Sequence, residues 1–120
     1  MDRRVFYIKE KLSQDLGRQW SVDNMAAEVR MSVVHFGRLF KEETGFTPMA
    51  YLNDLRLERA REFLADSDCF LQINEIGSQV GLLNGSHFTR SFKAKFGMTP
   101  TEFREHNAKI DQSNSQNGQK

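Results

Sequence analysis

Along this chain apolar residues recur every three or four positions, the spacing that gathers them on one side of an α-helix. Val5, Ile8 and Leu12 share a face and predict a supporting helix over 3–16 that stops at Gly17. Met25, Ala26 and Val29 predict a second helix over 22–29, capped by Ser21 and followed by a turn at Arg30 and Met31. Ser32 then caps a third helix with Phe36, Leu39 and Phe40 on its inner side. It ends at Gly45, a residue type that readily takes the left-handed conformation of a helix C-terminus. Thr47-Pro48 opens a longer helix that Leu52, Leu55, Ala60, Phe63 and Leu64 carry to about Ala65. Helices over 73–80 and up to Phe96 follow, the latter with Phe88 and Phe92 inward and Gly97 at its end. Thr99-Pro100, with Glu102 completing a capping box, starts a last helix to about Ala108.

These elements form two copies of one pattern. HFGRLFKEETGFTP at 35–48 returns as HFTRSFKAKFGMTP at 87–100, 52 residues later, and VDNMAAEV at 22–29 matches INEIGSQV at 73–80, 51 residues later. The second copy therefore has one extra residue in its turn. Two copies spaced this widely are too few for a stacked solenoid. The expected fold is all-α, with about seven helices in two helix-turn-helix subdomains joined by a long linker helix. The first subdomain covers 1–46, the linker 47–66 and the second subdomain 67–109, with a disordered polar tail at 110–120.

Composition narrows the function. With 120 residues, 38% hydrophobic and 28% charged, the chain can bury a modest core and stay soluble. Charges at Asp2, Arg3, Arg4, Lys9 and Glu10 leave no apolar run for a signal peptide or a membrane span, so the expected location is the cytoplasm. The single cysteine, Cys69, can form neither an internal disulfide nor a cysteine-type zinc site, and reads as a free thiol. His35, His87 and His106 lack metal-ligand spacing, and there is no nucleophile motif or phosphate loop. An enzyme is not expected, nor a cofactor.

A net charge of +1 argues only weakly for a polyanion partner, but binding to nucleic acid depends on where the charges sit. Opposite the inner side of the third helix lie Val34, Gly37, Arg38 and Lys41. At the matching places in the second copy lie Ser86, Thr89, Arg90 and Lys93. One such stripe would be an ordinary solvated face; its return in the same register suits the major groove, which admits one helix and offers acceptors to arginine. Gly37 and Gly85 allow close backbone approach, and Ser86 and Thr89 are short donors. The second copy has no acid between Asn84 and Phe96 but carries Arg90, Lys93 and Lys95, whereas Glu42 and Glu43 offset Arg38 and Lys41. It should feel phosphates more strongly. An 18-residue connector would span about 27 Å, compatible with two readers about one DNA turn apart.

On these residues the chain resembles the AraC/XylS family of transcription regulators. Ala26 to Leu64 is similar to that family's first helix-turn-helix and linker helix, and Ile73 to Arg104 to its second unit. The resemblance implies base contacts by Val33, Val34, Gly37 and Arg38 and by Gly85, Ser86, His87 and Arg90. Ser32, Lys41, Thr89, Lys93 and Lys95 are the expected phosphate contacts. It also implies double-stranded promoter DNA as the partner, with RNA polymerase as a second one. Gly77 departs from the alanine common there, and Arg30 stands where the second copy has Gly81. Most members carry an effector-binding or dimerisation domain that is not present in this chain, which reads as a stand-alone regulator or the C-terminal part of a longer one. The alternative is a helical protein-interaction module that has lost DNA binding.

Overall fold

A computed structural model describes residues 1–118, with side chains described through Ile110. Among the described residues it contains seven helices and no strand: α1 (Arg3–Gln14), α2 (Val22–Glu28), α3 (Val33–Thr44), α4 (Pro48–Ala65), α5 (Ile73–Val80), α6 (Gly85–Phe96) and α7 (Pro100–Gly118). None of the helices is long and apolar enough to cross a membrane.

The caps are local and follow the sequence. The hydroxyls of Ser21 and Ser32 accept from the backbone N–H of Asn24 and His35, and Thr47 accepts from Ala50. Asn84 does the same for His87 at the start of α6. The Thr99–Glu102 box is closed in both directions, at 2.9 and 3.1 Å, and these hydrogen bonds hold the Glu102 carboxyl below its ordinary pKa. Gly45 and Gly97 end α3 and α6 in the left-handed conformation.

Two boundaries differ from expectation. α1 ends at Gln14 rather than residue 16, because Asp15 leaves the helical conformation, at φ −146°, and its N–H turns to the Leu12 carbonyl three residues back. The Trp20 indole N–H donates to the Asp15 carbonyl at 2.8 Å, and the Arg56 guanidinium donates to those of Leu16 and Arg18. At the other end, the backbone of α7 is followed to Gly118, beyond Ala108. The side chains of the polar tail expected at 110–120 lie, after Ile110, outside the described residues.

The chain divides into two compact units, and the division falls inside α4, between Arg56 and Leu57. The first unit closes on Val5, Ile8 and Leu12 of α1, Trp20, Met25 and Ala26, Phe36 and Phe40 of α3, and Leu52. The second closes on Leu57, Ala60 and Leu64 of α4, Ile76 and Val80 of α5, Leu82, and Phe88 and Phe92 of α6. Val5, Ile8 and Leu12 recur 52 residues later as Leu57, Ala60 and Leu64, so the second half of α4 does for its unit what α1 does for the first. The closing helix matches too: Tyr51 meets Phe40 edge-on at 5.3 Å, and Phe103 meets Phe92 edge-on at 5.6 Å. The repeat thus covers four helical segments in each unit, with α4 serving as the last segment of one and the first of the next.

Candidate nucleic-acid interface

In α3 and in α6 the inner and outer sides separate as helical spacing requires. Phe36 and Phe40 of α3 and Phe88 and Phe92 of α6 are buried, with ring centroids 5.7 and 6.0 Å apart within each pair. An aromatic pair so enclosed is core and cannot serve as a stacking platform for bases. On the outer side of α3, Val33, Val34, His35, Arg38 and Lys41 are exposed, and Val34 keeps 72% of its surface in solvent. On α6, Gly85, Ser86, His87, Arg90 and Lys93 are exposed and Thr89 is half-buried at the edge of the stripe.

Glycine has different reasons at different positions. A Cβ at Gly37 or Gly85 would meet nothing within 4 Å, so no internal contact demands glycine there and the surface is open to an incoming partner. At Gly77, by contrast, a Cβ would lie 2.7 Å from the Leu82 carbonyl oxygen and 3.2 Å from the Phe88 ring. The glycine at that departure from the family pattern lets α5 and α6 close on each other.

The electrostatics of the stripes are simple. Arg38, Lys41, Arg90 and Lys93 make no ion pair within 4 Å among the described residues, although Lys93 lies near enough to the Glu102 carboxylate to attract it. Lys95 differs: its ammonium lies 3.5 Å from a Glu58 carboxylate oxygen and 5.4 Å from the centre of the Phe96 ring. It faces α4, not the stripe. The position 52 residues earlier, Glu43, also reaches its supporting helix, by accepting from the Asp2 backbone N–H at 2.9 Å. Ser32 remains exposed, with its oxygen occupied by the cap. His87 Nε2 stands 3.5 Å from the Ser91 hydroxyl at the start of α6.

The turn between α2 and α3 holds the one non-glycine residue with positive φ among the described residues, Arg30 at +56°. Its counterpart Gly81 is at +89°. The turn therefore keeps its left-handed geometry in both units and carries an arginine in one of them.

Residues 25–106 match the model of a family described as a helix-turn-helix domain, which spans both units. The chain belongs to the AraC/XylS family. Among its relatives, the RCS-specific HTH-type transcriptional activator RclR of Escherichia coli is 36% identical over 102 residues, 85% of this chain and 35% of its own length. The HTH-type transcriptional activator RhaS of Escherichia fergusonii is 32% identical, with 87% and 37% covered. The chain thus spans about a third of the length of the curated relatives it matches. Among solved structures, the DNA-binding domain of AdpA in complex with a target DNA has a TM-score of 0.81 at 24% identity, covering 88% of this chain and 93% of that one. An AraC-type protein from Chromobacterium violaceum has a TM-score of 0.76 at 30% identity, with 88% and 92% covered. The all-α fold is therefore that of AraC-type DNA-binding domains.

Proposed function

We propose that this AraC-type chain regulates transcription by binding duplex promoter DNA sequence-specifically, with α3 and α6 entering successive major-groove segments. The observation that carries this reading is the recurrence, in one register on both recognition helices, of an exposed stripe with an arginine and a lysine free of ion pairs. Lys41 and Lys93, with Ser32 and with Thr89 at the stripe's edge, position the protein on phosphates. Arg38 and Arg90 reach base edges, where a planar fork fits guanine. Ser86 and His87 add polar reading groups to α6, whereas Val33, Val34 and Gly37 give α3 only apolar contacts and close approach. The second unit carries more of the discrimination. The name of the AdpA structure, a DNA-binding domain held on its target, supports the same reading for this fold. RNA polymerase enters the reading only through the family resemblance.

The test is affinity for duplex DNA as a function of salt, combined with selection of bound sequences from a random duplex library. A plot of log affinity against log salt that slopes steeply downward, with a selected site approaching 20 bp, supports two inserted helices. A flat plot overturns DNA binding in favour of a protein-interaction module, and a site half as long overturns the role of one unit.

A further inference from the structure

The turn at Arg30 is made the same way as its counterpart. Arg30 N–H donates to the Ala27 carbonyl at 3.1 Å and Met31 N–H to that of Ala26 at 3.0 Å; in the second unit Gly81 donates to Ser78 and Leu82 to Gly77. This geometry needs a left-handed residue, for which glycine carries no steric penalty and arginine does. The first unit accepts that penalty for a side chain that is exposed and makes no hydrogen bond or ion pair through its guanidinium among the described residues. Glu28 shares a shallow recess of about 400 Å³ with Arg30, but its carboxylate lies 3.7 Å from Arg18. Arg4, on the same recess, is paired with Asp2 at 3.1 Å, while Arg3 is unpaired like Arg30. Two uncompensated guanidinium groups therefore border one recess beside the helix-turn-helix turn.

Arg30 precedes the cap of α3, Ser32, by two residues, which span at most about 7 Å. The arginine side chain adds a comparable reach, and the major groove is only about 12 Å wide. With the first turn of α3 in the groove, that span is long enough for the guanidinium of Arg30 to meet the phosphates of the groove wall. It does so in the unit that most lacks phosphate-directed charge, since α3 carries Glu42 and Glu43 whereas α6 carries no acid. We infer that Arg30 is a DNA phosphate-binding residue, held in a strained turn that makes the first unit less stable and its grip on the duplex stronger. The inference rests on the duplex-DNA reading above.

The experiment uses the full chain, a random-sequence 30-bp duplex and three variants, Arg30→Lys, Arg30→Gln and Arg30→Gly, each measured for salt-dependent affinity and thermal melting. Losing one phosphate contact lowers the salt slope by roughly 0.9 and the affinity about eightfold at 0.1 M salt. Arg30→Gln and Arg30→Gly should both show this loss and Arg30→Lys should not. Arg30→Gly should also melt a few degrees higher, so that stability and binding move in opposite directions. A wild-type slope in Arg30→Gln and Arg30→Gly, or weaker binding with the slope unchanged, overturns the role of Arg30 while leaving the DNA reading in place. A flat salt plot for the wild-type chain overturns both.

Discussion

Phe92 and Arg90 are two residues apart on α6 and face opposite ways, so truncating each isolates core from reading face. Phe92 has no exposed surface, and its ring lies 6.0 Å from Phe88, 4.6 Å from Phe96 and 5.6 Å from Phe103. Phe92→Ala removes an aromatic side chain at the centre of this cluster, a cavity-forming change that costs about 3–5 kcal/mol. Marginal stability for a domain of this size is about 5–15 kcal/mol, so the variant should melt far earlier and bind DNA weakly only in proportion to its unfolded fraction. Arg90 is exposed without an internal partner, and Arg90→Ala should change stability by less than about 0.5 kcal/mol. On the preferred DNA site it should cost about 1–3 kcal/mol of binding and relax preference at one or two base pairs, as loss of a guanine contact does. The assay is thermal melting alongside binding to the selected site and its single-base variants. An Arg90→Ala protein that melts early, paired with a Phe92→Ala protein that folds normally but loses base preference, would refute the assignment of the two sides of α6.

Lys93→Ala should lower the salt slope by roughly 0.9, while Lys95→Ala, whose ammonium is engaged by Glu58, should leave it unchanged; equal losses would place both on the phosphates. Gly77→Ala should lower the urea midpoint despite a helix-propensity gain of about 1 kcal/mol, because the new Cβ meets the Leu82 carbonyl at 2.7 Å; a higher midpoint would show that this contact yields easily. The Thr99 hydrogen bonds lower the Glu102 pKa in the fold, so its carboxylate contributes stability that is fully present above the ordinary value of 4.5 and lost as pH falls through the lowered one. The gap in melting temperature between wild type and Glu102→Gln should therefore narrow on acidification, and a gap that widens contradicts the capping role.

What the sequence made legible was local. Caps at Ser21, Ser32 and Thr99, glycine stops at Gly45 and Gly97, and the paired phenylalanines each depend on neighbours within one helical turn, so their chemistry is written in adjacent residues. Trp20 and Leu82 lie between helices and so escape the helical period, and Leu57 belongs to the Ala60 and Leu64 face that α4 gives to the second unit. The 52-residue spacing also makes Val5, Ile8 and Leu12 equivalent to Leu57, Ala60 and Leu64, but only one of the three pairs keeps its residue, so identity does not reveal it. Lys95 is an expected phosphate contact whose ammonium lies beside Glu58 on α4. Nine positions beyond Ser86, it stands half a turn round the helix from the Ser86 side of the stripe, an offset that helical spacing alone carries. The turn at Arg30 is written in its alignment with Gly81, whereas its lack of an acid partner depends on Glu28 pairing with Arg18 across the fold.

The two units keep their buried rings and the outer arginine and lysine, and vary other outer positions: Phe36 and Phe40 match Phe88 and Phe92, and Arg38 and Lys41 match Arg90 and Lys93, while Val34 and Gly37 face Ser86 and Thr89 in the alignment of copies. The energetics explain the split, since a change at an enclosed ring costs several kcal/mol and a change on an exposed face little. If that is why the faces diverged, a face can be moved without moving the fold. Val34→Ser with Gly37→Thr writes the α6 pattern onto α3. Val34 is largely exposed, a Cβ at Gly37 meets nothing within 4 Å, and threonine is a better helix former than glycine by a few tenths of a kcal/mol. The double variant should therefore melt within a few degrees of wild type. Library selection should keep the base preferences of the second unit's half-site and change those of the first toward them. A stable protein with both half-sites unaltered would show that α3 does not read bases through Val34 and Gly37, and that the first unit holds DNA through its phosphate contacts alone.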